Sequence, residues 1–354
     1  MDAPVTPDSL ARANKVLQSN PSLDLHTHLG LWETRGLPDI SELLRYIGDD
    51  RMRQNVLDFV EGGVKSASIC LTPDIPIIAL GQPGNIVRPF EEDQAWEEYQ
   101  RQQFLLHENL QTLPMKKVTR IDEIESVAAE GKLAVFLSTE GGHMVEKDLG
   151  RMEQLYQDGI RNFQPVHYAA NGLGDNQTDP PRFGGLSPLG KEAVREACRL
   201  KMTVDAAHAS FESARSMAEI VGGPIVLSHT MLRYDSPRFG SYQDNRPRWV
   251  TADHARLVAE TGGVIGVWPY GPPYGVASME AFVEAVKVLA DTVGIDHIGW
   301  ATDWVNPLMG SWFSSCREFP HLCAALLETG FSEQDLAQFI GGNALRVRRH
   351  VLRA

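Results

Sequence analysis

Two histidines separated by one residue, His26 and His28, close the first apolar segment of the chain. If that segment is a β-strand, residues i and i+2 point to the same side, so both imidazoles project from one strand end into one space. Imidazole nitrogens are common ligands of zinc and similar divalent ions. The spacing therefore indicates a metal site, although one such pair is weak evidence by itself.

Residues of the same chemical kind follow other apolar, strand-like segments. They are Glu140, His167, His208, His229 and Asp303. A single histidine at a strand end is usually a hydrogen-bonded structural group, but so many ionisable residues at strand ends favour a shared metal site. Four histidines and one glutamate suffice for two ions if the carboxylate bridges them. A bridged pair of ions can hold a shared hydroxide that attacks at neutral pH.

Such a site needs a scaffold that brings many strand ends together. Short apolar segments alternate with longer amphipathic segments, which predicts parallel strands joined by helical crossovers. Eight segments have strand character, at residues 22–28, 64–71, 133–139, 160–167, 202–208, 224–229, 263–269 and 297–303. Eight units predict an α/β fold, a closed (β/α)8 TIM barrel of the metal-dependent hydrolase type, whose active site lies at the C-terminal ends of the strands.

An open, doubly wound sheet has the same alternation, but no glycine-rich phosphate-binding motif follows the first strand. Two segments are longer than the repeating strand–helix unit of such a barrel requires. Residues 73–113 predict an extended β2–α2 insertion that forms a wall or lid over the site, and residues 311–354 predict a helical C-terminal tail. We interpret residues 1–354 as a single domain, with residues 1–20 as a helical extension.

Composition narrows the possible partners. The 354 residues carry a formal net charge of −13, so their summed field repels phosphates and disfavours nucleic-acid binding. No signal-peptide pattern and no long apolar run is present in the sequence, so we expect a cytoplasmic protein with no membrane partner. The four cysteines, which have no C-x-x-C spacing, are interpreted as core residues and not as a disulfide framework.

The order and spacing of several motifs are specific. The motifs are Ser-Thr-Glu140-Gly-Gly; Gln-Pro-Val-His167-Tyr-Ala-Ala-Asn-Gly-Leu-Gly-Asp175; Leu-Ser-Pro-Leu-Gly190; Asp-Ala-Ala-His208-Ala-Ser; Val-Leu-Ser-His229-Thr; Thr-Gly-Gly-Val-Ile-Gly-Val267; Gly-Ile-Asp-His-Ile-Gly299; and Ile-Gly-Gly-Asn-Ala-Leu-Arg-Val347. From His26 to about Val347 the chain resembles the membrane (renal) dipeptidase family of zinc metallopeptidases, a branch of the amidohydrolase superfamily.

The resemblance implies a cofactor of two divalent metal ions, with zinc as the expected metal. One ion would be held by His26, His28 and Glu140. The other would be held by Glu140, His208 and His229.

The resemblance also implies roles in catalysis and substrate binding. His167 would stabilise the developing oxyanion, and Asp303 would transfer a proton from the attacking water to the departing amine. Arg248 matches the arginine that binds the free carboxylate of the substrate, with Arg246 as a close alternative. Tyr270 matches a tyrosine of the substrate pocket, although an aromatic residue there is equally compatible with wall packing.

The sequence departs from the family pattern at two places. Family members commonly carry His-x-Asp on the first strand, whereas this chain has His26-Thr-His28, which raises the net charge of the site by about one unit and leaves metal identity and occupancy open. Asp303 is followed by Trp304-Val305-Asn306 in place of the usual acidic pair. We therefore expect a different pocket shape near the amino end of the substrate.

These observations lead to one function hypothesis and two alternatives. The leading hypothesis is binuclear metal-dependent hydrolysis of dipeptides, including those with a C-terminal D-residue, by a bridging hydroxide. One alternative is an amidohydrolase acting on another amide, an N-acyl amino acid, a lactone or a phosphoester. The other is a non-catalytic barrel used as a binding protein. A homodimer is compatible with such a barrel, but no apolar stripe in the sequence identifies an interface.

Overall fold

The computed structural model describes residues 5–37, 48–78, 86, 88–241, 248–269, 276, 278–303 and 311–353. The strands in these residues are β1 (Leu23–Thr27), β2 (Ser66–Leu71), β3 (Met115–Lys117), β4 (Leu133–Glu140), β5 (Ile160–Gln164), β6 (Thr203–Val204), β7 (Val226–Leu232), β8 (Asp235–Ser236), β9 (Gly240–Ser241), β10 (Trp249–Val250), β11 (Val264–Val267) and β12 (Ile298–Trp300). The α-helices are α1 (Pro7–Ser19), α2 (Gly48–Glu61), α3 (Gln94–Thr112), α4 (Ile124–Ala129), α5 (Arg151–Asp158), α6 (Pro188–Arg199), α7 (Phe211–Val221), α8 (Ala252–Glu260), α9 (Met279–Val293), α10 (Phe319–Glu328), α11 (Glu333–Ala337) and α12 (Asn343–Arg353).

Each of the eight predicted strand segments overlaps one of the eight parallel strands of a barrel, and β4 and β7 extend beyond their predicted ends, 139 and 229. Five of them pair in the order β1-β2-β4-β5-β6, and three pair in the order β7-β11-β12. The two sheets join through a parallel bridge between Asp205 and Val226, and the barrel closes where the Asp303 amide donates to the His26 carbonyl at 2.8 Å. The predicted (β/α)8 fold is confirmed. The short strands β3, β8, β9 and β10 are additions that the sequence patterns did not predict.

A buried aspartate strengthens each of the two joints between the sheets. Asp24 accepts hydrogen bonds from the Thr302 amide at 3.1 Å and the Thr302 hydroxyl at 2.6 Å, across from β1 to the end of β12. Asp205 accepts the Ser228 amide of β7 at 3.0 Å. Charge-assisted bonds of this kind replace ladder bonds where regular pairing stops. Each aspartate lies two or three residues before a predicted metal ligand, His26 or His208.

Helix starts follow the capping signals of the sequence. Ser187, Ser210, Thr251 and Ser278 each accept a hydrogen bond from an amide in the first turn of α6, α7, α8 or α9. The apolar faces of these helices pack on strands that are buried on both sides, as expected for a parallel barrel. The outer helices therefore fix the strand ends from outside.

The insertion after β2 and the C-terminal tail both contact the barrel. The side chain of Gln102 in α3 pairs with both the amide and the carbonyl of Thr72, which follows β2. At the opposite end, the Asn343 side chain of α12 donates to the carbonyls of Ile295 and Ile298. The tail motif that contributed to the family resemblance thus supports the floor of the barrel, far from the strand ends with the predicted ligands.

Irregular pairing shapes the strand ends that carry histidines. The register of β1 against β2 shifts between Asp24 and Thr27, and the register of β11 against β7 shifts between Ile265 and Val267. An extra residue in one strand redirects the side chains that follow it, and such bulges are frequent beside active sites. At the second bulge, a Cβ on Gly266 would lie 1.8 Å from the Ser228 carbonyl oxygen.

No helix among the residues that the structure describes is both long enough and apolar enough to cross a membrane.

We expect Gly266→Ala to lower the free energy of unfolding by about 3 kcal/mol, because the added methyl group must displace backbone. Gly299→Ala is the matched control, since Gly299 is the register partner of Gly266 in β12 and its nearest neighbour is the movable Leu25 side chain at 3.0 Å. Urea unfolding measures both. Equal midpoints for the two variants would contradict the close approach at Ser228.

Candidate metal centre

The C-terminal strand ends bring the predicted ligands to one place around Glu140. Glu140 is the last residue of β4 and is 1% exposed. Gly141 follows with φ of +90°, and a Cβ there would lie 2.7 Å from the His143 ring, so glycine permits the sharp turn that leaves the carboxylate pointing into the barrel mouth.

Five imidazoles surround the Glu140 carboxylate. The Nε2 atoms of His26, His208 and His229 lie 3.4, 3.1 and 3.4 Å from Oε1. The His28 Nε2 lies 3.3 Å from Oε2. The His167 Nε2 lies 3.3 Å from Oε1. The structure thus brings together all five residues for which the sequence predicted metal binding, and His167 as well.

These distances fit ligands of a metal ion. Two nitrogen or oxygen ligands about 2.0 to 2.1 Å from a tetrahedral zinc lie about 3.3 Å apart. The separations around Glu140 have this size. In addition, both ring nitrogens of the buried His26 have no hydrogen-bond partner among the described residues, and His208 Nδ1 has none either. Unpartnered buried imidazoles are costly, and a cation in the cluster would use their lone pairs.

The first-strand histidines lie in a negatively charged environment. Burial opposes their protonation, yet Cys70 and Glu140 raise the pKa of His26 well above its usual range, and Cys70 and Glu33 do the same for the pKa of His28. The same potential attracts a cation, which would replace the protons.

The other two predicted ligands are held neutral. Burial, followed by the positive charges of Arg248 and His167, lowers the pKa of His208 well below its usual range. Burial and the neighbouring His26 and Arg248 do the same to the pKa of His229. A neutral imidazole keeps the lone pair that a metal requires.

His208 has a strained backbone that its surroundings hold in place. Its φ is +63°, a region that residues other than glycine seldom occupy. Its carbonyl accepts the Gln177 amide at 2.8 Å. Asp303, another predicted site residue, has φ of +44°. Such strain concentrates at functional sites.

Asp303 and His167 lie on different sides of the cluster. The Asp303 Oδ1 is 3.3 Å from the His28 Nε2 and 3.8 Å from the His26 Nε2. The His167 Nδ1 donates to Asp74 at 2.7 Å. Burial disfavours a charged imidazole, but Asp74 and Glu140 raise the pKa of His167 to about 9. A charged His167 has a proton to donate, which suits a hydrogen-bond donor better than a metal ligand.

Arg248 is a buried cation next to the cluster. It is 2% exposed, donates to the Gln177 side chain at 2.5 Å and lies 3.4 Å from the His229 carbonyl oxygen. Its Nε has no hydrogen-bond partner, and no carboxylate of the described residues pairs with it. A buried guanidinium without a counter-ion favours an anionic ligand. Tyr270 and the alternative arginine, Arg246, lie outside the described residues.

Three site residues were missed by the sequence analysis. Glu33, in the loop after β1, accepts from the His28 Nδ1 at 2.5 Å, and Asp74, in the insertion, orients His167. The Cys70 Sγ lies 3.2 Å from the His28 Nδ1, so this cysteine is buried but does more than fill the core. Cys70 could have been found, because it lies at the end of the second predicted strand. Nothing in the sequence around Glu33 or Asp74 marks them.

The chain is similar to curated fungal proteins. It is 28% identical over 229 residues to Dipeptidase verJ of Clonostachys rogersoniana, covering 64% of this chain and 57% of the relative. It is 26% identical over 225 residues to Dipeptidase aclJ of Aspergillus oryzae, covering 61% and 51%. The chain spans about half the length of the curated relatives it matches.

Solved structures share the fold. The probable dipeptidase PvdM from Pseudomonas aeruginosa superposes with a TM-score of 0.77 at 20% identity, covering 98% of this chain and 100% of that one. A metallopeptidase from Rhodobacter sphaeroides, liganded with a phosphinate mimic of the dipeptide L-Ala-D-Ala, superposes with a TM-score of 0.74 at 20% identity, covering 94% and 99%.

A sequence profile of one family extends over nearly the whole chain. The family is described as membrane dipeptidase (peptidase family M19), and the match covers residues 10–354. This protein therefore belongs to the membrane dipeptidase family.

Proposed function

We propose that this protein is a metal-dependent dipeptidase with two divalent ions, expected to be zinc, at the mouth of its barrel. The observation that carries the proposal is the convergence of five imidazoles on the two oxygens of Glu140, at 3.1 to 3.4 Å. His26 and His28 would hold one ion, His208 and His229 the other, and Glu140 would bridge them. When bound, the ions would supply Lewis acidity and an activated water molecule shared between them.

The remaining polar groups suit the other needs of amide hydrolysis. Asp303 is an acceptor on the side of the first-strand histidines, where it can take a proton from the attacking water and pass it to the departing amine. His167 holds a proton on the opposite side and can donate to the oxyanion that forms at the scissile carbonyl. Asp74 fixes the orientation of His167 through its Nδ1.

Arg248 supports a substrate with a free carboxylate. Its unpartnered Nε and its position beside His229 allow a guanidinium bond to a C-terminal carboxylate while the peptide carbonyl faces the ions. The Rhodobacter relative binds a mimic of a dipeptide ending in D-Ala, which supports including dipeptides with a C-terminal D-residue among the proposed substrates.

Metal analysis combined with a substrate panel tests this proposal. Purified protein supplemented with zinc should hold about two ions per chain and cleave free dipeptides, and chelation should abolish turnover. Dipeptides ending in L- and D-residues are compared with N-acyl amino acids and lactones. Preference for the latter two would identify the amidohydrolase alternative, and metal-free protein without turnover would favour a binding protein.

Asp303→Asn should keep both ions and lose at least about a hundredfold in kcat, because proton transfer by a positioned group contributes about that much or more. Initial-rate assays measure kcat, and metal analysis of the same preparation measures the number of bound ions. Asp253→Asn, at an exposed carboxylate on the outer helix α8, is the control and should retain full activity. Loss of an ion together with kcat would make Asp303 a ligand instead of a proton carrier.

Arg248→Ala should lower kcat/KM for free dipeptides by roughly thirtyfold or more, since truncating one partner of a buried charge pair costs about 2 kcal/mol or more. The same dipeptides with an amidated C-terminus lack the carboxylate and should lose much less. The ratio of the two substrates in wild type and variant separates carboxylate binding from a general loss of packing. An unchanged ratio would refute the assignment.

A further inference from the structure

One buried group at the cluster has no part in the proposed reaction. Cys70, near the end of β2, is fully buried, and its Sγ lies 3.2 Å from the His28 Nδ1 and 3.7 Å from the His28 Nε2. One ligand atom from each of His26, His28, Cys70 and Glu140 can be chosen so that all four atoms lie within 4.8 Å of one another. The sulfur thus belongs to the half of the cluster that would hold the first ion.

An independent observation indicates a ligand at this place. His26 is 1% exposed, and neither of its ring nitrogens has a hydrogen-bond partner among the described residues. Its Nε2 is directed at the same space, 3.4 Å from Glu140 Oε1. Burial of an unsatisfied imidazole is explained if an ion uses this lone pair.

The separations also fit a sulfur ligand. With a zinc–sulfur distance of about 2.3 Å and a zinc–nitrogen distance of about 2.05 Å, the two donors of a tetrahedral ion lie about 3.5 Å apart. The 3.7 Å between the Cys70 Sγ and the His28 Nε2 is close to that value. The Thr72 hydroxyl lies 3.7 Å from the sulfur and 3.3 Å from Glu140 Oε2, so it contacts both groups.

We propose that Cys70 is a thiolate ligand of the first ion, together with His26, His28 and Glu140. This inference rests on the proposed metal centre. On binding, the S–H bond of Cys70 breaks, its proton leaves to solvent, and a sulfur lone pair forms the bond to the ion.

The thiolate would change which metal the centre prefers. As ligands, His26 and His28 would be neutral and Glu140 would divide its single charge between the two ions, so Cys70 would add a full negative charge at the first position. A donor set with two imidazoles, one carboxylate and one thiolate favours zinc, cobalt and cadmium over magnesium and manganese.

Cobalt substitution tests the assignment without relying on turnover. The metal-depleted full chain is loaded with Co²⁺, and the near-ultraviolet absorption that arises from charge transfer between thiolate and cobalt is recorded against bound cobalt. Wild type should show this band and Cys70→Ser should lack it. Cys198→Ser, at the half-buried thiol of the outer helix α6, is the matched control and should keep the band. X-ray absorption of the zinc-loaded wild type should likewise show sulfur at about 2.3 Å, averaging about half a sulfur neighbour per zinc because only one of the two ions would bind Cys70.

The expected change in affinity is a loss of about ten- to a hundredfold for Zn²⁺ in Cys70→Ser, with a smaller change for Mn²⁺. A wild-type protein that binds two cobalt ions without a thiolate band, or a band that persists in Cys70→Ser, would overturn the inference. Because the band is measured in wild type, failure of the variant to fold does not remove the test. If wild type binds no divalent ion, the metal centre itself fails; if it binds two ions and cleaves dipeptides without the band, only the Cys70 assignment fails.

Discussion

The site depends on the buried carboxylate of Glu140, whose negative charge must be compensated by its neighbours. Burial by itself would raise the pKa of the Glu140 carboxyl, but the charges of His167 and His26 and the hydrogen bonds of His167 and His208 hold that pKa well below its usual range. An ionised carboxylate in a dry barrel mouth must be compensated by positive charge. Without an ion, His26 and His167 provide that positive charge, whereas His208 and His229 are held neutral.

The two places in the barrel where regular strand pairing is interrupted lie next to predicted metal ligands. Regular pairing stops between β6 and β7 and between β12 and β1, and the aspartates Asp205 and Asp24 take over there. Interrupted pairing frees the chain to turn His26 and His208 toward Glu140, while the aspartates keep the joints closed. Burying a carboxylate at such a joint is unfavourable. At Asp24, burial raises the pKa to about 7, although Thr302 and His26 donate hydrogen bonds to it.

Much of this arrangement could be predicted from the sequence, because barrel strands are apolar and end in the ligands they carry. The predicted segments were too long at the ends of β5 and β6 and too short at the ends of β4 and β7. At the end of β5, Pro165 has no amide to pair. Glu33 and Asp74 escaped for a different reason. Their contacts with His28 and His167 lie within a loop or join residues distant in sequence, and no periodicity marks such contacts.

The charged residues divide the site into two halves, one that favours cations and one that favours anions. Glu33 and Asp303 lie beside the first-strand histidines and make that half attract cations. Arg248 and the charged His167 face the second half. A dipeptide carries the same division, with an ammonium group at one end and a carboxylate at the other. With its carboxylate at Arg248, the dipeptide would place its amino end toward the acidic half and its peptide bond over Glu140. The charge distribution that protonates the first-strand histidines and keeps His208 and His229 neutral would therefore also orient the proposed substrate.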